Sequence, residues 1–176
     1  KNGMAVYEVV PETRDVLSAE TAYVTLNLMQ GVTEAGSGAR LRHAGLEKTN
    51  YIYEKVITGY PYIFENPIAG KTGTTQNQSD GWFMGMVPNL VTGVWVGGED
   101  RSIHFEEIGF GQGATMALPI WGPFMKPVYE TDDLGISQEA FLEPEILTIP
   151  LDCEALAEER LLQTTTEEED LDDLGF

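Results

Sequence analysis

Hydrophobic and polar positions alternate most regularly in the middle of the chain. Ala69–Thr75, Trp82–Val87 and Leu90–Gly98 are short, rich in β-branched and aromatic residues, and bounded by Gly, Pro, Asn and Asp, which predicts three strands. Asp80-Gly81 sits just before the second, and Pro88-Asn89 marks a tight turn into the third. So short a link makes the second and third strands antiparallel neighbours. Gly93 inside the third strand points to close approach of another backbone. Met4–Val10 reads as a further strand that Pro11 ends.

Helical periodicity flanks this region. Ser18 is placed to cap a helix starting at Ala19, in which Ala22, Leu26 and Met29 recur at helical spacing with Tyr23 beside them, and Gly36 and Gly38 suit the exit turn. Downstream of the glycine-rich EIGFGQG, the residues Met116, Ile120, Phe124 and Val128 recur every four and predict a helix, which Pro119 and Pro127 would kink or fray. Leu46–Thr58 fits a helix, whereas TGYPYIFENP is loop-like; the insert 42–66 reads as a wall of a cleft or a surface loop. Pro144–Pro150 is a connector, Leu151–Gln163 a short amphipathic helix, and the acidic tail beyond it a disordered extension. These elements describe an α+β domain over residues 1–150, with an antiparallel sheet flanked by helices, and an acidic extension over 151–176. No internal repeat is visible.

Charge narrows the partners. The 176-residue chain carries a net charge of −19, and residues 151–176 hold 10 acids against one base, Arg160. So acidic a chain is poorly suited to neutralise a phosphate backbone, which argues against nucleic acid. Cys153 is the only cysteine, and His43 and His104 stand far apart, so no internal disulfide and no metal site is expected. No apolar run reaches the length of a membrane-spanning helix. The chain starts with Lys rather than Met, and reads as part of a longer polypeptide.

Candidate chemistry concentrates in PIAGKTGTTQNQSDGWFMGMVPNL (Pro67–Leu90). Strand side chains alternate, so Thr72 and Thr74 share a face, and two hydroxyls there suit a carboxylate. Lys71 adds positive charge where the chain has little. Gly73 leaves room for another backbone or a ligand, and a backbone N–H near Thr74 suits a developing oxyanion. A peptide can add to such a strand edge. Thr75, Gln76 and Asn77 follow directly and are possible substrate contacts. Ser79-Asp80 reads as a turn, Glu106 and Glu107 as a solvated pair, and Trp82, Trp95 and Trp121 as core.

Ser-x-x-Lys, Ser-Asp-Asn and Lys-Thr-Gly together mark penicillin-binding proteins and class A β-lactamases. The stretch AGKTGTTQNQSDGWFMGMVPNLVTGVWVG resembles the core of bifunctional, class A penicillin-binding proteins. VLSAETAYVTLNLMQGVTEAGSG is similar to the helix preceding that core, and GQGATMALPIWGPFMKPVYE to the closing helix. The resemblance runs over roughly residues 4–135 in family order. GWFMG paired with VWVG, with Pro-Ile-Trp downstream, favours a transpeptidase over a β-lactamase. It implies a partial serine β-lactamase/D,D-transpeptidase-like fold, with helices on both sheet faces and an all-helical subdomain. It implies cross-linking of peptidoglycan stem peptides ending in D-Ala-D-Ala through a serine acyl-enzyme, and trapping by β-lactams. By position, Lys71 handles charge and protons, Thr72 and Thr74 hold the donor carboxylate, and the Thr74 N–H donates to the oxyanion. It implies no metal or organic cofactor, and an extracytoplasmic domain tethered by an N-terminal helix upstream, with a glycosyltransferase domain.

The nucleophile is missing from the pattern. Three residues after Ser18, Ser37, Ser79, Ser102 and Ser137 stand Thr21, Arg40, Trp82, Phe105 and Ala140, none of them lysine; two residues after them no asparagine occurs. Two readings therefore compete: the carboxylate-binding part of a transpeptidase whose serine lies on other polypeptide, or a non-catalytic fragment or degenerate relative that binds peptides or partners. Covalent labelling by a penicillin separates them.

Overall fold

The computed structural model describes residues 9, 10, 12, 14–42, 62–152 and 157. The helix predicted over 46–58, most of the strand predicted over 4–10, most of the helix predicted from Leu151, and the acidic tail lie outside them. Among the described residues, β1 (Ala69–Thr74), β2 (Asp80–Val87) and β3 (Leu90–Gly97) form one antiparallel sheet in the order β1-β2-β3. Register sets Lys71 opposite Met84, Gly73 opposite Trp82 and Trp82 opposite Trp95. Helix α1 (Ala19–Glu34) starts as predicted, the Ser18 hydroxyl accepting the Thr21 N–H at 3.1 Å. Two single turns, α2 (Ile108–Gly111) and α3 (Gly113–Met116), lead into α4 (Leu118–Glu130). This is the α+β arrangement of an antiparallel sheet with flanking helices.

One sheet face is packed. Directly opposite residues share a face, so Gly70, Thr72, Thr74, Gly81, Phe83, Gly85 and Val87 point together. Trp121 lies on Gly85, where an added Cβ would come within 2.3 Å of its ring. The Trp121 ring meets Phe83 edge-on at 5.2 Å and Phe64 at 6.1 Å, and its indole N–H donates to Thr92 at 2.6 Å. Leu41, Ile68, Leu118 and Met125 complete the fully buried centre. Tyr62 and Phe64, from the insert, are buried in the same core, so the described end of that insert is not surface loop.

Three expectations need correction. The helical stripe that faces the sheet is Leu118, Trp121, Gly122 and Met125; Ile120 and Phe124 are 52% and 51% exposed. Gly122 decides the choice, because it lets the Tyr62 ring pack where a Cβ would sit at 2.8 Å. Of the three tryptophans only Trp121 is core. Trp82 and Trp95 are 44% and 48% exposed, paired across the strands at 6.4 Å on the sheet's other face. Met84 and Val91 are also exposed there, beside Lys71. The prolines disrupt less than expected: Pro119 sits in the first turn of α4, and the helix runs on through Pro123 and Pro127.

The C-terminal segment folds back over the domain. Asn89 joins it at the Gly135 carbonyl and the Ser137 N–H, Phe141 is buried, and Glu20 accepts bonds from the Thr148 and Ile149 backbone and the Thr148 hydroxyl. Those bonds, the Thr148 N–H first, hold the Glu20 carboxyl below its ordinary value.

Candidate functional site

Lys71–Thr74 forms most of β1, at an edge of the sheet among the described residues. Four local features place it. First, β1 is anchored at its entry, where the buried Thr33 hydroxyl of α1 donates to the Ile68 carbonyl at 2.5 Å. Second, Arg42 donates to the Phe64 and Asn66 carbonyls just upstream; burial lowers its guanidinium pKa, against the opposing pull of Glu34 and Tyr129.

Third, the β1–β2 turn is closed at its neck by hydrogen bonds. Thr75 donates its N–H to the Asp80 carbonyl at 3.2 Å, and its hydroxyl accepts the Asp80 N–H at 3.0 Å. Asn77 and Gln78 both take left-handed backbone, with φ of 57° and 52°. Because the turn closes at Thr75, alternation along the strand turns the Thr74 N–H away from β2, toward the open side of β1. Ser79 is buried and hydrogen-bonded to the Thr75 hydroxyl at 3.0 Å, within the turn. Gln76 and Asn77 are exposed on the turn's outer side.

Fourth, the glycine-rich segment seats on the motif. The Gly113 N–H donates to the Thr74 hydroxyl at 3.1 Å, and a Cβ at Gly113 would meet the Trp82 and Gly73 carbonyl oxygens at 2.3 and 2.4 Å. Gly111 is pressed as closely on Gln78. Both contacts are with backbone or a turn residue and cannot yield by a rotamer change. Gly113→Ala is therefore expected to destabilise the fold by roughly 1–3 kcal/mol or more through overpacking, read from the urea unfolding midpoint. An unchanged midpoint would contradict that packing.

The side chains of the motif divide between the two faces. Lys71 is exposed, its ammonium donating to the Thr72 carbonyl at 2.8 Å, on the face shared by Trp82 and Met84. Thr72 and Thr74 share the other face, as alternation predicts. The Thr74 oxygen takes the Gly113 N–H, which leaves its own O–H to donate. The Thr72 hydroxyl meets the Ser37 hydroxyl at 2.6 Å. Sequence reasoning missed Ser37 as a neighbour of the motif; its one signal was its place in the Gly36-Ser37-Gly38 exit turn. Among the described residues no group of three His, Cys, Asp or Glu is arranged to hold a metal ion, and no helix is long and apolar enough to cross a membrane.

The chain is 30% identical over 142 residues to penicillin-binding protein 1A of Aquifex aeolicus, a match covering 79% of this chain and 16% of that protein. It is 35% identical over 120 residues to penicillin-binding protein 1A of Pseudomonas aeruginosa, covering 68% and 12%. Over 97 residues it is 35% identical to penicillin-binding protein 1A of Escherichia coli, covering 48% and 11%. No protein-family model matches the chain. The sheet, the helices and these matches define a fragment of a penicillin-binding protein. The chain belongs to the class A penicillin-binding proteins and is similar to their 1A and 1B members, of which it spans less than a fifth of the length.

Proposed function

We propose that this chain supplies the carboxylate-gripping strand of a peptidoglycan D,D-transpeptidase, and that the nucleophilic serine is carried on polypeptide outside it. The observation that carries this reading is Lys-Thr-Gly-Thr on an edge strand, with the Thr74 N–H aimed at the open side and two threonine hydroxyls on one face. The names of the relatives support it. In the proposed reaction the serine oxygen attacks the carbonyl of the penultimate D-alanine of one stem peptide. The amide C–N bond breaks, the leaving D-alanine takes a proton, and an ester remains on the serine. An amine of a second stem peptide then attacks that ester, and the serine recovers its proton as the new amide forms.

Lys71 holds positive charge beside this exchange and assists proton movement. The Thr72 and Thr74 hydroxyls bind the donor's terminal carboxylate, and the Thr74 N–H stabilises the tetrahedral oxyanion. Thr75, Gln76 and Asn77 line the approach. The exposed Trp82, Met84, Val91 and Trp95 lie on the same face as Lys71, and the serine-bearing part of the domain covers them. The site works on the outer side of the cytoplasmic membrane, tethered by an N-terminal helix on the longer polypeptide. Its partners are stem peptides ending in D-Ala-D-Ala and the β-lactams that mimic them.

A fluorescent penicillin tests the division of labour. This chain alone is expected to take no covalent label, and the longer polypeptide that carries it is expected to form a stable adduct. Labelling of the chain by itself, or rapid turnover of the antibiotic in place of an adduct, would contradict the proposal.

A further inference from the structure

We propose that Ser37 is a positioning residue of the carboxylate site, acting with Thr72 as a single two-hydroxyl donor; the inference rests on the reading of β1 just given and adds a residue to it. The two oxygens lie 2.6 Å apart although the residues are 35 positions apart in the chain. At that distance one hydroxyl donates to the other. Whichever donates, one O–H of the pair is left free, and it is polarised by the bond it receives. Thr72 without Ser37 has a freely rotating hydroxyl. Thr72 with Ser37 has a donor group with a settled direction.

The placement of Ser37 is built, not incidental. The Gly38 N–H donates to the Val32 carbonyl at 2.8 Å, and the Gly36 N–H to the Gly31 carbonyl at 3.0 Å, so the turn is bound to the last turn of α1. A Cβ at Gly36 would lie 2.9 Å from the Val32 Cα, so this close fit requires glycine there. The same helix end is fixed to β1 by the Thr33–Ile68 bond. The route from α1 to the motif is therefore short and hydrogen-bonded throughout. Ser37 itself is exposed and Thr72 half-buried, so the free O–H of the pair is open to a ligand. Thr74 is differently committed, its oxygen already holding Gly113. Thr74 still has its own O–H to donate, so the strand presents that O–H beside the free O–H of the Ser37–Thr72 pair.

The test compares acylation of the longer polypeptide by a fluorescent penicillin with a free carboxylate and by the same penicillin as its methyl ester. The readout is the ratio of the two rates. Wild type is expected to prefer the free carboxylate. Ser37→Ala is expected to lower that preference by at least about tenfold, the scale of a lost hydrogen bond to a charged group. Ser37→Thr, which keeps a hydroxyl, is expected to retain most of it. A merely structural role would slow both probes alike and leave the ratio where it was. Ser37→Ala with the wild-type ratio overturns the inference while leaving the strand reading intact. Wild type that shows no preference, or takes neither probe, overturns the strand reading and the inference together.

Discussion

Trp121→Ala is expected to remove about 3–5 kcal/mol of stability, a large share of the roughly 5–15 kcal/mol that holds a domain together. Trp121 is fully buried and is the largest side chain in the centre. It touches Phe83 of β2, Phe64 of the insert, and Thr92 of β3 through its indole N–H. The space that receives it is made by Gly85, which has no side chain to fill the hole. The alanine variant loses transfer energy and aromatic contacts and leaves the Thr92 hydroxyl without that donor. Urea unfolding of the chain followed by circular dichroism checks this, with an expected fall in midpoint of at least about 1 M. A fall corresponding to less than about 1 kcal/mol would mean that the sheet does not depend on this helix.

The second large effect is catalytic. Lys71→Ala in the longer polypeptide is expected to slow penicillin acylation by about 10²–10⁴-fold, the range for a group that moves a proton in the transition state. Little loss of stability should accompany it, because Lys71 is exposed and its bond is to the neighbouring Thr72 carbonyl. Lys71→Arg keeps the charge but not the compact ammonium on its flexible stem, and is expected to recover only part of the rate. Acylation within about threefold of wild type in Lys71→Ala would remove the lysine from the proposed proton path, since a factor of that size is under 1 kcal/mol.

How much of this was legible beforehand varied with the range of the interaction. The Ser18 cap, the Pro88-Asn89 turn and the β2–β3 hairpin depend on neighbours in the chain, and they stand where the pattern put them. The start of β2 was misplaced by two residues. Ser79-Asp80 reads as a turn with Asp80-Gly81 just ahead of the strand, but the Thr75 hydroxyl takes the Asp80 N–H and the strand begins there. Periodicity correctly announced a helix after Gly113 but not which of two adjacent apolar stripes faces inward. That was decided across the fold, by Tyr62 against Gly122 and Trp121 against Gly85. Trp82 and Trp95 read as core because large aromatics usually are; their exposure depends on what covers that face, which local pattern cannot report. Lys71–Thr74 was legible as a strand motif, whereas Ser37 was not, since only folding brings it to Thr72.

In the proposed function, the open side of β1 holds the anionic end of a D-amino-acid peptide. A crystal structure of the longer polypeptide acylated by a penicillin measures this directly. The antibiotic's carboxylate is expected within about 3 Å of the Thr72 or Thr74 hydroxyl, with the acyl carbonyl oxygen at the Thr74 N–H. A penicillin bound covalently with its carboxylate turned away from β1, and its carbonyl oxygen held by other donors, would contradict it.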